Sequence, residues 1–213
     1  NLKEESFIKE LLSLEADLQI IVAFRMLPEV IWSMPKRGTF NLHASLLPRY
    51  RGAAPINWAL INGETETGIT TFFLDKKIDT GQIILQEKEV IQEEDDFGTL
   101  YGKLMLKGAS LILKTVALIE KGSVDTLPQN DENAGPLAPK IFKQDCKINW
   151  DQDADCIVNF IRGVSPHPTA WCKFNNEILK IFHVNKITTN HLDSGEFESD
   201  GKKYLHFGTQ TSD

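Results

Sequence analysis

The sequence predicts an α/β fold in which a Rossmann-like, mainly parallel sheet precedes a small β-rich domain. Short apolar runs alternate with helical patterns up to residue 120, as expected for a sheet covered by helices. Beyond residue 145 the pattern changes to one amphipathic helix and several short strands separated by turns. A content of 41% hydrophobic and 25% charged residues is typical of a globular chain.

Each element of the first part follows from the spacing of its apolar residues and from its turn residues. A helical period predicts helices over 5–14, 28–35, 54–63 and 97–120. Short runs that are apolar, β-branched or aromatic predict strands over 17–24, 38–45, 68–74 and 82–90. Because a single turn joins the last two strands, we expect them to form an antiparallel addition to the sheet.

A change of composition divides the chain into two domains. Residues 123–145 are polar, rich in Pro and Gly and without a period, which predicts a linker. This linker separates a first domain over 1–122 from a C-terminal domain over 146–213. In the second domain we expect an OB-like barrel, with a helix over 153–164 and strands over 169–174, 177–184 and 202–207.

Charge, hydropathy and cysteines exclude several classes of protein. A net charge of −7 argues against nucleic-acid binding over the whole surface, so an RNA contact would need a local patch. No apolar run reaches the roughly 18–20 residues that a membrane span needs, and the charged start predicts no signal peptide. Three cysteines without a C-x-x-C pair predict reduced thiols, a cytoplasmic location and no zinc site.

Asn41 and His43 are unusual polar residues in the strand predicted over 38–45. Side chains alternate along a strand, so these two point the same way while Leu42 faces the opposite layer. Ligands of parallel sheets bind beyond the carboxyl ends of the strands, and a turn follows the pair directly. An amide and an imidazole there can donate hydrogen bonds to an oxyanion. The spacing alone is equally compatible with two satisfied polar residues at a strand end.

A third polar group, Asp79, lies in the turn between the strands predicted over 68–74 and 82–90. A carboxylate close to His43 would favour its imidazolium form. The Asp-Thr-Gly sequence suits an ordinary turn equally well, and sequence spacing leaves open whether the two side chains meet.

Together these residues resemble the formyltransferase family that uses 10-formyltetrahydrofolate. The Asn41-x-His43 pair is followed by the run SLLPRYRG over 45–52, and the Asp79 turn comes later. Further stretches are most similar to the family members that formylate methionine on the initiator tRNA: 22–32, 51–64 and 148–171.

The resemblance implies a metal-free mechanism in which Asn41 and His43 donate hydrogen bonds to the tetrahedral oxyanion. Asp79 would keep His43 charged and, through a water, would help to take the proton from the attacking amine. The 10-formyltetrahydrofolate would be held by the loop after His43, by an earlier segment and by the Asp79 turn. The implied folate-contacting residues are Phe24, Arg25, Met26, Leu27, Ser45, Leu46, Leu47, Pro48 and Ile78.

The implied partner is the initiator methionyl-tRNA, bound by a monomer without a membrane contact. Residues 140–213 hold nine Lys or Arg and ten Asp or Glu, so no basic stripe marks the tRNA site. Arg51 is expected to stabilise its turn by bonding carbonyl groups. The residues that we expect to contact phosphates are Arg49, Lys140, Lys143, Lys147 and Lys173.

Two parts of the family pattern are missing from the sequence. The family's first strands and a glycine-containing loop precede the region that matches residues 1–24, and the last strands of its C-terminal domain are absent. We therefore expect both domains to be partial and the sequence to belong to a longer protein.

Other functions stay open, because the catalytic motif does not encode the acceptor amine. An amino-sugar formyltransferase shares the pair, the loop and a C-terminal extension, and a formylfolate hydrolase could activate water at the same site. A glycinamide ribonucleotide formyltransferase lacks a comparable C-terminal domain. A non-catalytic folate- or RNA-binding protein is disfavoured by the intact Asn41, His43 and Asp79. A serine hydrolase is disfavoured because Ser45 is not in a G-x-S-x-G elbow.

Overall fold

The computed structural model describes residues 2–22, 26–122, 124–175, 177–188 and 192–210. The chain forms two compact units. One comprises residues 1–55, 66–90 and 102–139, and the other comprises residues 56–65, 91–101 and 140–213. Within the described ranges, no helix is both long and apolar enough to cross a membrane.

The first unit is built on a four-stranded sheet in which the strands follow each other in sequence order. The strands are β1 (Gln19–Val22), β2 (Thr39–His43), β3 (Glu66–Phe73) and β4 (Ile83–Val90). β1 and β2 are parallel, whereas β2 with β3 and β3 with β4 are antiparallel. The α/β class and the antiparallel addition are confirmed. The antiparallel part begins one strand earlier than expected, because the chain re-enters the sheet at the end where β2 stops.

All four helices expected before the linker are present. They are α1 (Glu5–Ser13), α2 (Glu29–Trp32), α3 (Pro55–Ile61) and α4 (Phe97–Lys121). Gly122 follows α4 with a φ of +68°, the left-handed conformation expected of a residue that ends a helix. Arg37 Nη1 donates to the carbonyl of Ile119 at 2.7 Å, so a cation also covers the negative end of this helix.

Strand β2 is covered on both faces. On one face Phe40, fully buried, packs with Ile84 and Ile119. Leu42 lies on that face too, since a Cβ added at Gly108 of α4 would be 2.7 Å from its Cδ2 atom. The opposite face carries Asn41 and His43, as the alternation of side chains predicts.

Part of the predicted linker belongs to the first unit. Leu127 pairs with Ile83 at the start of β4 through two backbone hydrogen bonds of 2.8 and 2.9 Å. Ala138 forms a bridge with Gly52 in the loop after β2. A single turn of 3-10 helix lies at Asp131–Asn133. These contacts hold residues 127–138 beside the loop and the turn that contain the candidate site residues.

The second unit is rich in β-structure, as expected. Its elements are helix α5 (Ala154–Val164), strands β5 (Ala170–Phe174), β6 (Glu177–Ile181), β7 (Phe197–Ser199) and β8 (Leu205–Phe207), and a 3-10 helix at Lys143–Cys146. β5 pairs with β6, and β7 pairs with β8, both antiparallel. β7 is a short strand that the sequence did not predict. The core consists of Cys146, Ile148, Ile157, Ile161, Val164 and Ala170.

Candidate active site

Asn41 and His43 lie at the end of β2, on one face of the sheet. In the antiparallel register Asn41 is opposite Phe72 and His43 is opposite Thr70. Their side chains are buried, with only 7% and 6% of the residue surface exposed. The pair therefore has fixed backbone positions and is shielded from bulk water, which strengthens its electrostatic interactions.

Both ring nitrogens of His43 face an oxygen atom. Nε2 is 2.8 Å from the carbonyl oxygen of Tyr50, and it must carry the proton because a carbonyl can only accept. Nδ1 is 3.8 Å from Oδ2 of Asp79. The ring also packs edge-on against Phe72, with centroids 6.5 Å apart. The two residues that the sequence could not bring together, His43 and Asp79, are thus neighbours.

Burial lowers the pKa of His43 below its ordinary value of 6.5, while the Asp79 carboxylate and the Tyr50 carbonyl oppose this effect. The effect of burial is the largest, so the neutral ring with its proton on Nε2 is favoured at neutral pH. The expectation of a charged His43 stays a prediction: Asp79 acts in the expected direction, and burial acts against it. Asp79 stabilises an imidazolium when one forms.

Asp79 is held from two sides in a left-handed backbone conformation with a φ of +55°. The backbone N–H of Gly52 donates to its Oδ2 atom at 2.9 Å. The Nε2 group of Gln129 donates to its backbone carbonyl at 2.9 Å. The carboxylate and the main chain of Asp79 therefore both have fixed partners, which sets the distance to His43.

The side-chain oxygen of Asn41 has no hydrogen-bond partner. This Oδ1 atom is buried, and no other buried side-chain oxygen or nitrogen in the described part of the chain lacks a hydrogen-bond partner. Leaving such a group unsatisfied costs about 1–3 kcal/mol. The amide offers an acceptor in this orientation and a donor after rotation about its last bond. A ligand group beside Asn41 could use either.

The loop after β2, expected to contact folate, is fixed by internal hydrogen bonds. Ser45 Oγ donates to the Arg49 carbonyl at 2.6 Å, and Thr70 Oγ1 donates to the Ser45 carbonyl at 2.6 Å. Leu47 is buried in a cluster with Phe72 and Ile83. The side chains of Ser45 and Leu47 therefore shape the loop from inside, whereas those of Leu46 and Pro48 keep exposed surface for a ligand.

The other expected folate contacts lie in two segments that are close to each other. Phe24 and Arg25 lie outside the described residues. Met26 and Ile78 are 67% and 59% exposed, and Leu27 is half-buried. An ion pair of 3.3 Å joins Lys76 in the turn to Glu29 at the start of α2. The turn and the segment at 26–29 therefore border the same region of the surface.

The Arg51 side chain bonds to two other side chains. The expectation that it would bond to carbonyl groups of its own turn is not met. Its Nε and Nη2 groups donate to Oε1 of Gln129 at 3.0 and 2.8 Å. Its Nη1 group pairs with Asp131 at 2.8 Å. Gln129 was missed in the sequence because it lies in an aperiodic segment, where only the neighbouring Pro128 stands out.

The basic residues expected to bind phosphate are all exposed. Arg49, in the first unit, lies over the ring of Tyr50 at 5.4 Å. In the second unit the backbones of three lysines lie near Trp171: its Nε1 donates to the Lys143 carbonyl, Lys147 forms a backbone bridge with it, and Lys173 is two residues further along β5. Lys140 lies over the ring of Phe142 at 5.1 Å.

Two family models match the chain, one before and one after the segment 117–139. The formyl transferase model matches residues 1–116, and the model of the formyl transferase C-terminal domain matches residues 140–213. The chain therefore belongs to the formyl transferase family, which confirms the resemblance found in its motifs.

Individual relatives carry narrower names than the family. The chain is 52% identical to the methionyl-tRNA formyltransferase of Parabacteroides distasonis and 53% identical to that of Flavobacterium johnsoniae, each over 96% of this chain. It spans 66% of the length of both relatives. Among solved structures, the N-formyltransferase of Helicobacter canadensis, in complex with folinic acid and dTDP-3-aminofucose, is 27% identical. The TM-score is 0.63, over 80% of this chain and 62% of that one.

Proposed function

We propose that the protein containing this chain transfers a formyl group from 10-formyltetrahydrofolate to the α-amine of methionyl-tRNA. The observation that carries the proposal is His43, buried between the Asp79 carboxylate and the Tyr50 carbonyl at 3.8 and 2.8 Å. This arrangement suits a group that gains charge when an oxyanion forms beside it. The identity of 52% to methionyl-tRNA formyltransferases favours tRNA as the acceptor.

The reaction requires one bond to form and one to break. The amine nitrogen attacks the formyl carbon, the carbonyl oxygen becomes an oxyanion, and the bond from that carbon to N10 of the folate then breaks. The amine loses a proton and N10 gains one, so the overall reaction needs no external acid or base. Asn41, after rotation of its amide, donates to the oxyanion.

His43 acts in this scheme by redirecting a hydrogen bond. In the described conformation the Nε2–H group donates a hydrogen bond to the Tyr50 carbonyl. To stabilise the oxyanion, the ring must break this hydrogen bond and donate to the substrate oxygen. The negative charge of the oxyanion then favours protonation of Nδ1 by the proton that leaves the amine, and Asp79 stabilises the resulting imidazolium until that proton passes on to N10. A water held by Asp79 could carry the proton that leaves the amine.

The folate and tRNA sites form part of the same proposal. Met26 and Ile78 are exposed and Leu46 and Pro48 are half-buried, and we expect these four side chains to border the folate, supported by backbone groups of the 76–80 turn. The lysines around Trp171 would contact tRNA phosphates, because lysine binds phosphate as a point charge. A domain boundary within 123–145, a cytoplasmic location and a monomeric state stay predictions.

A second candidate function is formylation of an amino-sugar nucleotide, which the Helicobacter canadensis structure favours through its bound dTDP-3-aminofucose. The experiment offers labelled 10-formyltetrahydrofolate to the full-length protein together with methionyl-tRNA, an amino-sugar nucleotide or water. We expect the label in acid-precipitable RNA. Label in the sugar nucleotide would replace the proposal with the second candidate, and free formate alone would identify a hydrolase.

A further inference from the structure

Gln129 joins three parts of the chain that surround the site. Its Nε2 group donates to the carbonyl of Asp79 at 2.9 Å and to that of Gly81 at 2.8 Å. Its Oε1 atom accepts two hydrogen bonds from Arg51. A side-chain amide has two N–H donors and two acceptor lone pairs, so all of its hydrogen-bonding capacity is used here.

The turn that Gln129 contacts contains a residue in a less common backbone conformation. Asp79 has a φ of +55°, which Asp tolerates better than most residues that carry a Cβ. Left-handed conformations at functional sites persist where the surrounding structure holds them. Gly52 N–H donates to the carboxylate of Asp79, whereas Gln129 donates to its main-chain carbonyl.

Gln129 is itself firmly placed. Two residues earlier, Leu127 exchanges two backbone hydrogen bonds with Ile83 of β4. Two residues later, Asp131 pairs with the same Arg51 side chain that holds the Gln129 oxygen. The amide is thus anchored to the sheet on one side and to the loop after β2 on the other.

We propose that Gln129, oriented by Arg51, is a positioning residue that holds Asp79 at its working distance from His43. The proposal rests on the proposed function only for its consequence in formyl transfer. Its structural content, that the 79–81 turn depends on Gln129, stands independently. Gln129 touches neither ring nitrogen of His43, and it would act through the Asp79 backbone.

A competing role for Gln129 is direct contact with a ligand. The side chain also borders a cavity of about 390 Å³, which Asp75 and Thr80 line as well. A ligand contact would raise the KM of the bound substrate and leave the pairing of Asp79 with His43 intact. A positioning role would lower kcat at unchanged KM and alter His43 itself.

The test compares two neighbouring substitutions in the full-length protein. Gln129→Met keeps the shape of the side chain but removes all four hydrogen bonds. Asn130→Ala is the matched control, because Asn130 is exposed and its side chain only caps the short helix through the Glu132 N–H. Asp79→Asn supplies the reference for complete loss of the carboxylate charge.

The first measurement is an NMR titration of the His43 ring, assigned as the signal that His43→Gln lacks. The Asp79 carboxylate is the charged group that raises the pKa of His43, so its displacement must lower the titration midpoint. We expect Gln129→Met to shift the midpoint down, toward that of Asp79→Asn, while Asn130→Ala leaves it unchanged. An unchanged or raised midpoint in Gln129→Met would overturn the proposal.

The second measurement is steady-state formyl transfer to methionyl-tRNA. We expect Gln129→Met to lower kcat on the order of 10- to 100-fold with KM unchanged, as small misplacements of catalytic groups do. A raised KM with normal kcat would contradict the positioning role. If the wild-type protein transfers no formyl group, the proposed function fails, and the titration alone decides the role of Gln129.

Discussion

His43 and Asp79 lie side by side, yet the chain places them by different means. His43 belongs to a strand that is hydrogen-bonded on both sides, with β1 and β3 as neighbours. Asp79 belongs to a turn and keeps its left-handed conformation through contacts from Gly52 and Gln129, 27 and 50 positions away. The strand half of the site, which contains His43, is fixed by regular structure. The turn half, which contains Asp79, is fixed by a few long-range hydrogen bonds.

Replacing the catalytic side chain of either half should cause the largest loss of activity. We expect His43→Ala and Asp79→Ala each to lower kcat for formyl transfer by at least about 100- to 1,000-fold, the usual cost of a lost oxyanion-stabilising group. Both variants should still unfold cooperatively, because the apolar side chains of the neighbouring core clusters are unchanged. Turnover close to that of the wild type in either purified variant would exclude the proposed site.

Substitutions at two glycines compare how strongly activity depends on the turn and on the strand. A Cβ at Gly81 would collide with the Phe73 backbone carbonyl, so Gly81→Ala must move the turn. We expect kcat to fall about 10- to 100-fold and the free energy of unfolding to fall by about 1–3 kcal/mol.

Gly108→Ala is the matched control for that substitution. Its Cβ would lie 2.7 Å from the flexible end of Leu42, beneath the strand half, and alanine favours the helix by about 1 kcal/mol. Activity near that of the wild type is expected. Equal losses of kcat in both variants would show that the turn is no more sensitive than the strand.

The pH dependence of stability tests the burial of the strand half. Burial lowers the pKa of His43 in the folded state below its ordinary value of 6.5. As the pH falls through this value, the unfolded chain binds a proton that the folded chain disfavours, so stability decreases. We expect urea unfolding between about pH 7 and pH 5 to show a destabilisation that His43→Gln lacks. The same slope in both proteins would mean that His43 titrates alike in the two states.

The smallest effect is expected outside the site. Lys147→Ala and Lys173→Ala should each weaken binding of methionyl-tRNA a few-fold and reduce the slope of log K against log salt by about one. Lys186→Ala is the control, because Lys186 is paired with Asp155 at 2.7 Å in the same unit. An unchanged salt slope in the first two variants would exclude phosphate contact by these lysines.

The same contrast explains what could be predicted from the sequence. Alternation along β2 was sufficient to place Asn41 and His43 on one face, opposite Leu42, because a strand has a fixed period. The approach of Asp79 could not be predicted, since it depends on the register of β2 with β3 and on the shape of a turn. Gln129 left no signal, because a single long-range amide has no periodicity.

Burial was the other property that the sequence did not reveal. The resemblance implied a charged His43, whereas desolvation in the folded chain lowers its pKa. The implied folate loop is similar: Ser45 and Leu47 match the family pattern, but their side chains face the interior. A motif identifies the residues of a site, and tertiary packing decides which of their atoms a ligand can reach.

The central claim is that His43 and Asp79 act as one unit although different parts of the chain hold them. A double-mutant cycle measures this directly, with single-turnover formyl transfer by the wild type, His43→Ala, Asp79→Ala and the double variant. If the two groups act together, either single substitution already removes their joint contribution. The double variant should therefore be no slower than the slower single variant. A loss equal to the product of the two single losses would show independent action and contradict the account.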